Sequence, residues 1–391
     1  MLIKINPLCL LVLLSFPLIS LISCSRTKEE VSTDSTCSES SWICSSPVWV
    51  TGISNATAIS GGSDHMCSLI SGGTAKCWGD NYRGQLGNGS TTDSSSPVSV
   101  SNISTATGIN AGEDHTCAVL SDKTVQCWGD NYQGQLGNGS STDSSSPVSV
   151  SNISTATAVT GGWYHTCALL DNNTVQCWGS GLYGQLGNGY GSDSSSPVTV
   201  ANITTATAVT TGDYHSCALL DNNTIQCWGS GSYGSLGNGS NSNSNTPVTV
   251  SGISTASTID AGEDHTCAVL SDKTVQCWGY GLYGNLGNGS DSNSNIPVTV
   301  SNISTATAVA GGEDFNCALL SGGTISCWGN GSYGSFGNGT SGSSAVTNTP
   351  VINSSVNASS VAAGDDFTCI LESGGTIKCF GDNDNGQLGG W

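Results

Sequence analysis

Short apolar runs recur along this chain, separated by polar stretches rich in Gly, Asn and Ser. Between residues 97 and 128 there are four such runs, at 97–100, 105–109, 117–120 and 124–128. Runs of this length, rich in β-branched or aromatic residues and bounded by turn formers, predict β-strands. No later stretch shows the periodicity of a helix over a useful length. The pattern therefore predicts an all-β chain.

The four-strand pattern is repeated seven times with a period of about 50 residues, and residues 111–129 recur unchanged at 261–279. Seven complete copies with nothing left over favour a closed ring. We therefore predict a single seven-bladed β-propeller over residues 47–391, with about four strands per blade. An open β-solenoid is the alternative, but it needs distinct capping repeats, and the terminal copies resemble the middle ones. The copies begin at Pro47, Pro97, Pro147, Pro197, Pro247, Pro297 and Pro350.

The N-terminal segment predicts export. Lys4 precedes an apolar run at 8–22, which is short and lightly flanked for a membrane span. A cleaved leader over residues 1–23 fits this pattern better. If the chain came from a eukaryote, sites such as Asn88 and Asn102 would instead become glycosylation candidates.

The leader ends in Leu-Ile-Ser-Cys at residues 21–24, which resembles the lipobox of bacterial lipoproteins. This resemblance implies that Cys24 carries a lipid and that residues 24–46 form a polar tether. Ser25, in place of Asp, favours delivery to the outer membrane or cell surface of a bacterial envelope. An ordinary signal peptide is the alternative.

Cysteines recur in every copy with nine residues between the two members of a pair. If residues 121–123 form a loop, Cys117 lies opposite Cys127 in a hairpin, and Val119 faces Val125 on the same side. In an exported protein, an even number of cysteines at fixed spacing predicts disulfides. The predicted bridges are Cys37–Cys44, Cys67–Cys77, Cys117–Cys127, Cys167–Cys177, Cys217–Cys227, Cys267–Cys277, Cys317–Cys327 and Cys369–Cys379.

Charge narrows the range of partners. The chain has 8 Lys and Arg against 28 Asp and Glu, which gives a net charge of −20. So few scattered cations cannot neutralise a run of phosphates, and we do not expect nucleic acid binding. An anionic surface favours solubility. We expect a monomer that needs no cofactor and touches the membrane through its lipid only.

Four motifs of the second copy together resemble the regulator of chromosome condensation repeat. They are Ala-Gly at 111–112, His-Thr-Cys-Ala-Val at 115–119, Cys-Trp-Gly at 127–129 and Gly-Gln-Leu-Gly at 134–137. The resemblance covers about residues 47–391 and implies a seven-bladed propeller. The name-giving member binds chromatin and promotes nucleotide exchange on a small GTPase, roles that an acidic, exported chain does not suit. Secreted bacterial relatives include a β-lactamase inhibitor, and fold alone does not settle function.

All five histidines occupy one repeat position, two residues before the first Cys of each pair. A His-Cys-Cys metal site would need that position throughout, yet Phe315 and Phe367 stand there in the last two copies. An aromatic ring fills the same packing position, so we expect packing and no metal. The Asp-rich loop at 382–386 lacks the spacing and distal Glu of a calcium loop. With every His in this structural role, we expect no catalytic site.

The copies differ at the two positions before the His. Trp163, Tyr164 and Tyr214 replace residues that are mostly carboxylates elsewhere, and Tyr82 and Arg83 lie in a nearby loop. Exposed Trp, Tyr and Arg dominate protein interfaces. We therefore predict a non-catalytic, surface-displayed scaffold that binds a protein or glycan through these five residues. Drift among duplicated copies is the competing interpretation. An enzyme regulator or inhibitor is the alternative function, and a polysaccharide-acting enzyme is less favoured.

Overall fold

Residues 37–38 and 42–390 are described in a computed structural model, and nearly all of their regular structure is β-strand. The strands form seven antiparallel sheets, the blades, whose first strands line a central channel. Blades 1 to 6 each contain four strands in chain order, with the fourth outermost. The predicted seven-bladed β-propeller is therefore confirmed. Within these residues, no helix has the length and hydropathy needed to cross a membrane.

The strand bounds repeat closely from blade to blade. Blade 1 contains Ala56–Gly61, His65–Ile70, Thr74–Gly79 and Ser94–Ser99; blade 2 Ala106–Ala111, His115–Leu120, Val125–Gly129 and Ser144–Ser149; blade 3 Ala156–Gly161, His165–Leu170, Val175–Gly179 and Ser194–Thr199; blade 4 Ala206–Thr211, His215–Leu220, Ile225–Gly229 and Ser244–Thr249. Blade 5 contains Ala256–Ala261, His265–Leu270, Val275–Gly279 and Ser294–Thr299; blade 6 contains Ala306–Gly311, Phe315–Leu320, Ile325–Asn330 and Val346–Asn353. Blade 7 contains Ala358–Ala363, Phe367–Glu372 and Ile377–Asp382. Short 3-10 helices occur at Ser232–Gly234 and Gly342–Ala345.

The two ends of the chain meet in blade 7. The N-terminal strand Ile43–Trp49 supplies its fourth strand by pairing with Ile377–Asp382, and Cys37–Ser38 adds a fifth. This strand begins at Ile43, before the predicted boundary between tether and propeller at 46/47. Most residues before the proline are polar in the fourth strands, which lie at or near the outer edges of the blades. Their composition alone therefore resembles a tether.

The hydrophobic cores lie between blades. Trp128 of blade 2 is fully buried in a cluster with the Cys67–Cys77 pair and Leu86 of blade 1. Its indole Nε1 donates a hydrogen bond to the carbonyl oxygen of Gln85, at 2.8 Å. Each blade thus completes the core of its neighbour and cannot bury its apolar surface alone.

The eight predicted disulfides are present among the described residues. Cys117 lies opposite Cys127 and Val119 opposite Val125, as the hairpin register predicted. The seven repeated bridges each span 10 residues, and Cys37–Cys44 spans 7. A loop of this size predicts about 3 kcal/mol of stabilisation per bridge from chain entropy. The disulfides therefore fix the second and third strands of each blade in register.

Candidate functional site

The histidines lie in the interfaces between blades. Nε2 of His115 is 2.8 Å from Oγ1 of Thr166 in the next blade, and that hydroxyl donates to the carbonyl oxygen of Gln135 at 2.8 Å. With the hydroxyl proton committed to Gln135, the ring donates from Nε2. Burial lowers the pKa of His115 to about 4, so the ring is neutral at pH 7. Where Phe367 replaces the His, its neighbour in blade 1 is Met66 in place of a hydroxyl residue, and both belong to one apolar cluster.

No metal site accompanies these histidines. Among the described residues, no group of three or more His, Cys, Asp or Glu side chains could hold a metal ion. The cysteines are oxidised in disulfides, so they offer no thiolates. The histidines and cysteines are therefore structural here.

A ring of glycines narrows the channel at one end. A Cβ at Gly212 would lie 2.4 Å from Cε1 of His215 and 2.5 Å from the carbonyl oxygen of Gly262 in the next blade. Only glycine allows the inner strands to approach this closely. The ring consists of Gly62, Gly112, Gly162, Gly212, Gly262, Gly312 and Gly364.

The two variable residues after each of these glycines form the rim of the channel. The rim surrounds the mouth of a cavity of about 300 Å³, which the first strands of all seven blades line. At the junction of blades 7 and 1, the Ser63 hydroxyl donates to the Asp365 carboxylate at 2.7 Å. The rim carboxylates that line the cavity are Glu113, Asp213, Glu263, Glu313 and Asp365.

The rim carboxylates repel one another. Burial, followed by the charges of Asp213 and Asp365, raises the pKa of Glu113 to about 10. Burial and neighbouring carboxylates raise the pKa of Asp114 to about 7, although the nearby Arg83 acts in the opposite direction. Burial and mutual repulsion therefore keep rim carboxyl groups such as Glu113 protonated at neutral pH.

One part of the rim is aromatic. The ring centroids of Trp163 and Tyr164 are 4.8 Å apart and nearly parallel, and Tyr214 lies 5.4 Å from Trp163. Tyr183 makes an edge-to-face contact with Tyr214 at 5.3 Å. We call these four residues, on blades 3 and 4, the aromatic sector. Three of them, Trp163, Tyr164 and Tyr214, are predicted binding residues.

The aromatic sector includes one residue, Tyr183, that was not predicted as a site residue. Its sequence signal is its position, which is one residue later in the loop after Cys-Trp-Gly than that of Tyr82 or Tyr132. Tyr82 and Tyr132 stand four residues after their Trp, and 74% and 75% of their surfaces are exposed. Tyr183 and Tyr233 stand five residues after theirs and are 45% exposed. At this later position the Tyr183 ring contacts the rim aromatic Tyr214, and Tyr233 contacts Tyr280 at 5.0 Å.

Tyr82 and Arg83 are not part of the aromatic sector, although the charge of Arg83 reaches Tyr164. Among the described residues, no ring contact joins Tyr82 to it. The Arg83 guanidinium carbon is 5.4 Å from the centre of the Tyr82 ring, and Nη1 is 3.4 Å from a carboxylate oxygen of Asp143 in blade 2. Nε of Arg83 is also 3.9 Å from Asp130. Arg83 therefore links blade 1 to blade 2 electrostatically.

Solved structures with the same fold come from distant relatives. Human WBSCR16 is 20% identical with a TM-score of 0.74, and the match covers 87% of this chain and 90% of that one. Prp20p from Saccharomyces cerevisiae is 18% identical with a TM-score of 0.71, covering 89% and 94%. The ectodomain of the Physcomitrella patens receptor kinase CR4 is 20% identical with a TM-score of 0.55, covering 84% and 74%. Such low identities establish the fold alone. No curated protein sequence matches this chain significantly.

Family assignment rests on the sequence repeats. Residues 306–335 and 358–387 match the regulator of chromosome condensation (RCC1) repeat. Residues 45–312, more than half of the chain, match the RCC1-like domain. The chain belongs to the RCC1-like domain family.

Proposed function

We propose that this protein is a non-catalytic binding scaffold that recognises a protein or a glycan through the aromatic sector. The observation that carries the proposal is the contact of Trp163, Tyr164, Tyr183 and Tyr214 at one place on the rim. The equivalent pairs in other blades are mostly carboxylates. A cluster of partly exposed Trp and Tyr is the typical centre of a protein interface. Among relatives, yeast Prp20 has been crystallised with Kap60 bound.

Two features support a role without catalysis. The histidines are buried and neutral, and their Nε2 atoms hold neighbouring blades together, so they are not free to act as general bases. The carboxylates recur at equivalent positions around the rim, and this repetition favours a structural or binding role over a single acid/base pair. The rim is suited to binding.

The proposal includes display on a bacterial envelope through a lipid on Cys24. Cys24 and the leader lie outside the described residues. Eight disulfides support an oxidising compartment, since such bonds persist mainly in exported proteins. A Cys24→Ser variant should lose palmitate labelling and pass from the membrane fraction to the soluble fraction; retention in the membrane would contradict lipid anchoring.

A charge-neutral triple variant tests the binding role. Trp163→Ser, Tyr164→Ser and Tyr214→Ser together remove three of the four rings of the aromatic sector without changing the net charge. Tyr190→Ser is the matched control, because Tyr190 is an exposed aromatic of the same blade (69% exposed) outside the sector. Its counterparts Ser90 and Ser140 show that serine fits there.

Each purified protein would be presented to a glycan array and, after photo-cross-linking on intact cells, to mass spectrometry. We expect at least one ligand to be retained by the unmodified protein and by Tyr190→Ser and lost by the triple variant. A ligand set that the triple variant keeps in full would contradict the proposal. Thermal unfolding of all three proteins would verify that the triple variant is folded.

A further inference from the structure

We infer that the ligand of the aromatic sector is a basic protein segment, whose Lys or Arg side chain packs on the aromatic rings and reaches the carboxylates at the channel mouth. The inference rests on the proposed function and specifies its partner. The rings provide the contact surface, and the charge around them selects the ligand.

The aromatic sector lies within the acidic rim. In rim order, Trp163 stands between Glu113 and Asp213, which both line the cavity. The backbone N–H of Glu113 donates to the carbonyl oxygen of Gly162, directly before Trp163, at 3.2 Å. A cation over an aromatic face is stabilised by the ring quadrupole, and more strongly as it is desolvated. Carboxylates on both sides would add hydrogen bonds to the same cation.

Carboxylate charges reach the tyrosines of the sector. Burial, then the charge of Glu113, raises the pKa of Tyr164. Burial, then the charge of Asp213, raises the pKa of Tyr214. A positive ligand at this point would relieve repulsion on both sides of the sector.

Little of this charge is compensated within the described part of the chain. Its basic residues are Lys76, Arg83, Lys123, Lys273 and Lys378. Lys123 pairs with Asp171 at 2.9 Å in the hairpin turns, at the opposite ends of the strands from the rim. Lys378 pairs with Glu372 at 2.8 Å on blade 7. Among these cations, Arg83 acts on a rim carboxyl, that of Asp114. Arg83 also interacts with the carboxylates of Asp130 and Asp143, outside the rim.

The dimensions favour a long cationic side chain over a metal ion or a sugar. The described carboxylates do not converge into a group that could hold a metal. A cavity of about 300 Å³ is at the lower end of the range for ligand pockets, roughly 300–1,000 Å³, so it suits one inserted side chain. An uncharged glycan would leave the rim repulsion in place.

Titration calorimetry of the full chain with synthetic peptides tests this inference. The probes are hexa-arginine and hexa-lysine, with a Gly-Ser hexapeptide and neutral chito-oligosaccharide as comparisons, all in 0.15 M salt. Trp163→Ala removes the central ring at constant charge. Glu113→Gln/Asp213→Asn replaces two flanking carboxyl groups, which hold protons in the free protein and would lose them to a bound cation, by amides that cannot ionise. Its matched control is Asp122→Asn/Asp221→Asn, which removes two exposed charges from the hairpin turns at the far end of the strands.

We expect hexa-arginine or hexa-lysine to bind, with a loss of about tenfold in affinity for Trp163→Ala and of at least about tenfold for Glu113→Gln/Asp213→Asn. The hairpin-turn control should differ from the unmodified protein by less than about twofold. If Trp163→Ala does not fold, Tyr183→Ala takes its place, since 45% of the Tyr183 surface is exposed.

The possible results separate the inference from the proposed function. If the basic peptides bound Trp163→Ala and the unmodified protein with equal affinity, the binding would be unspecific attraction between charges. That result would overturn the inference. So would oligosaccharide binding that depends on Trp163 in the absence of peptide binding, but that result would uphold the proposed function. Failure of both basic peptides to bind overturns the inference alone, whereas a triple serine variant that keeps every ligand overturns both.

Discussion

Replacing His115 by Phe should make the protein less sensitive to acid. The substitution removes the hydrogen bond to Thr166, which costs about 1 kcal/mol at neutral pH. The Thr166 hydroxyl keeps its acceptor in Gln135. Phe315 occupies the equivalent position in blade 6, fully buried, so the site has room for the ring.

The magnitude follows from the protonation of His115. Its pKa is about 4 in the folded protein and 6.5 when free, and burial is the cause. A lowered pKa means that the unfolded chain binds the proton more tightly, so stability is full above pH 6.5 and is lost as the pH falls toward 4. Between pH 8 and pH 5 the loss for this single histidine is about 2 kcal/mol.

Urea unfolding at pH 8, 6 and 5, with the disulfides intact, measures the effect. His115→Phe should be less stable than the unmodified protein at pH 8 and more stable at pH 5. Thr166→Val is the matched control, because it breaks the same hydrogen bond but keeps the histidine, so its dependence on pH should persist. Parallel loss of stability in His115→Phe and the unmodified protein would refute a buried, neutral His115.

Two further substitutions test the charges and the bridges. Asp366→Asn should stabilise the protein at pH 8 to 9 and progressively less toward pH 5. Burial and nearby carboxylates raise the pKa of Asp366 to about 8, so its ionisation costs folded-state stability as the pH rises. Urea unfolding that shows an equal effect of the substitution at all these pH values would contradict this. Cys117→Ser/Cys127→Ser should lower the free energy of unfolding by about 3 kcal/mol, and a loss near zero by the same measurement would show that the hairpin is held without its bridge.

The repeated parts of the fold could be predicted from the sequence because they depend on local periodicity. The register of Cys117 with Cys127 follows from strand alternation and a three-residue loop, and the structure has that register. The role of Ile43–Trp49 as the last strand of blade 7 did not follow, since its partner lies more than 300 residues away in the chain. Its polar composition fits either a tether or an outer strand.

The candidate site was predictable as a difference between copies but not as an arrangement. Trp163, Tyr164 and Tyr214 stood out because the equivalent residues are mostly carboxylates. Tyr183 did not, because a tyrosine occurs nearby in six of the copies, and Tyr233, Tyr283 and Tyr333 share its position five residues after the Trp. Arg83 was grouped with the aromatics by residue type, yet the fold places it against Asp143.

The sequence by itself determined the number of blades, the hairpins and the positions where the copies differ. These features repeat every 50 residues or so, and strand alternation acts over a few neighbours. Only the tertiary structure decided that the ends of the chain share one blade and that residues from blades 3 and 4 form the aromatic sector. Closing the ring brings positions 50 residues apart into contact, and the glycines that permit this close approach bring the rim carboxylates near enough to repel one another.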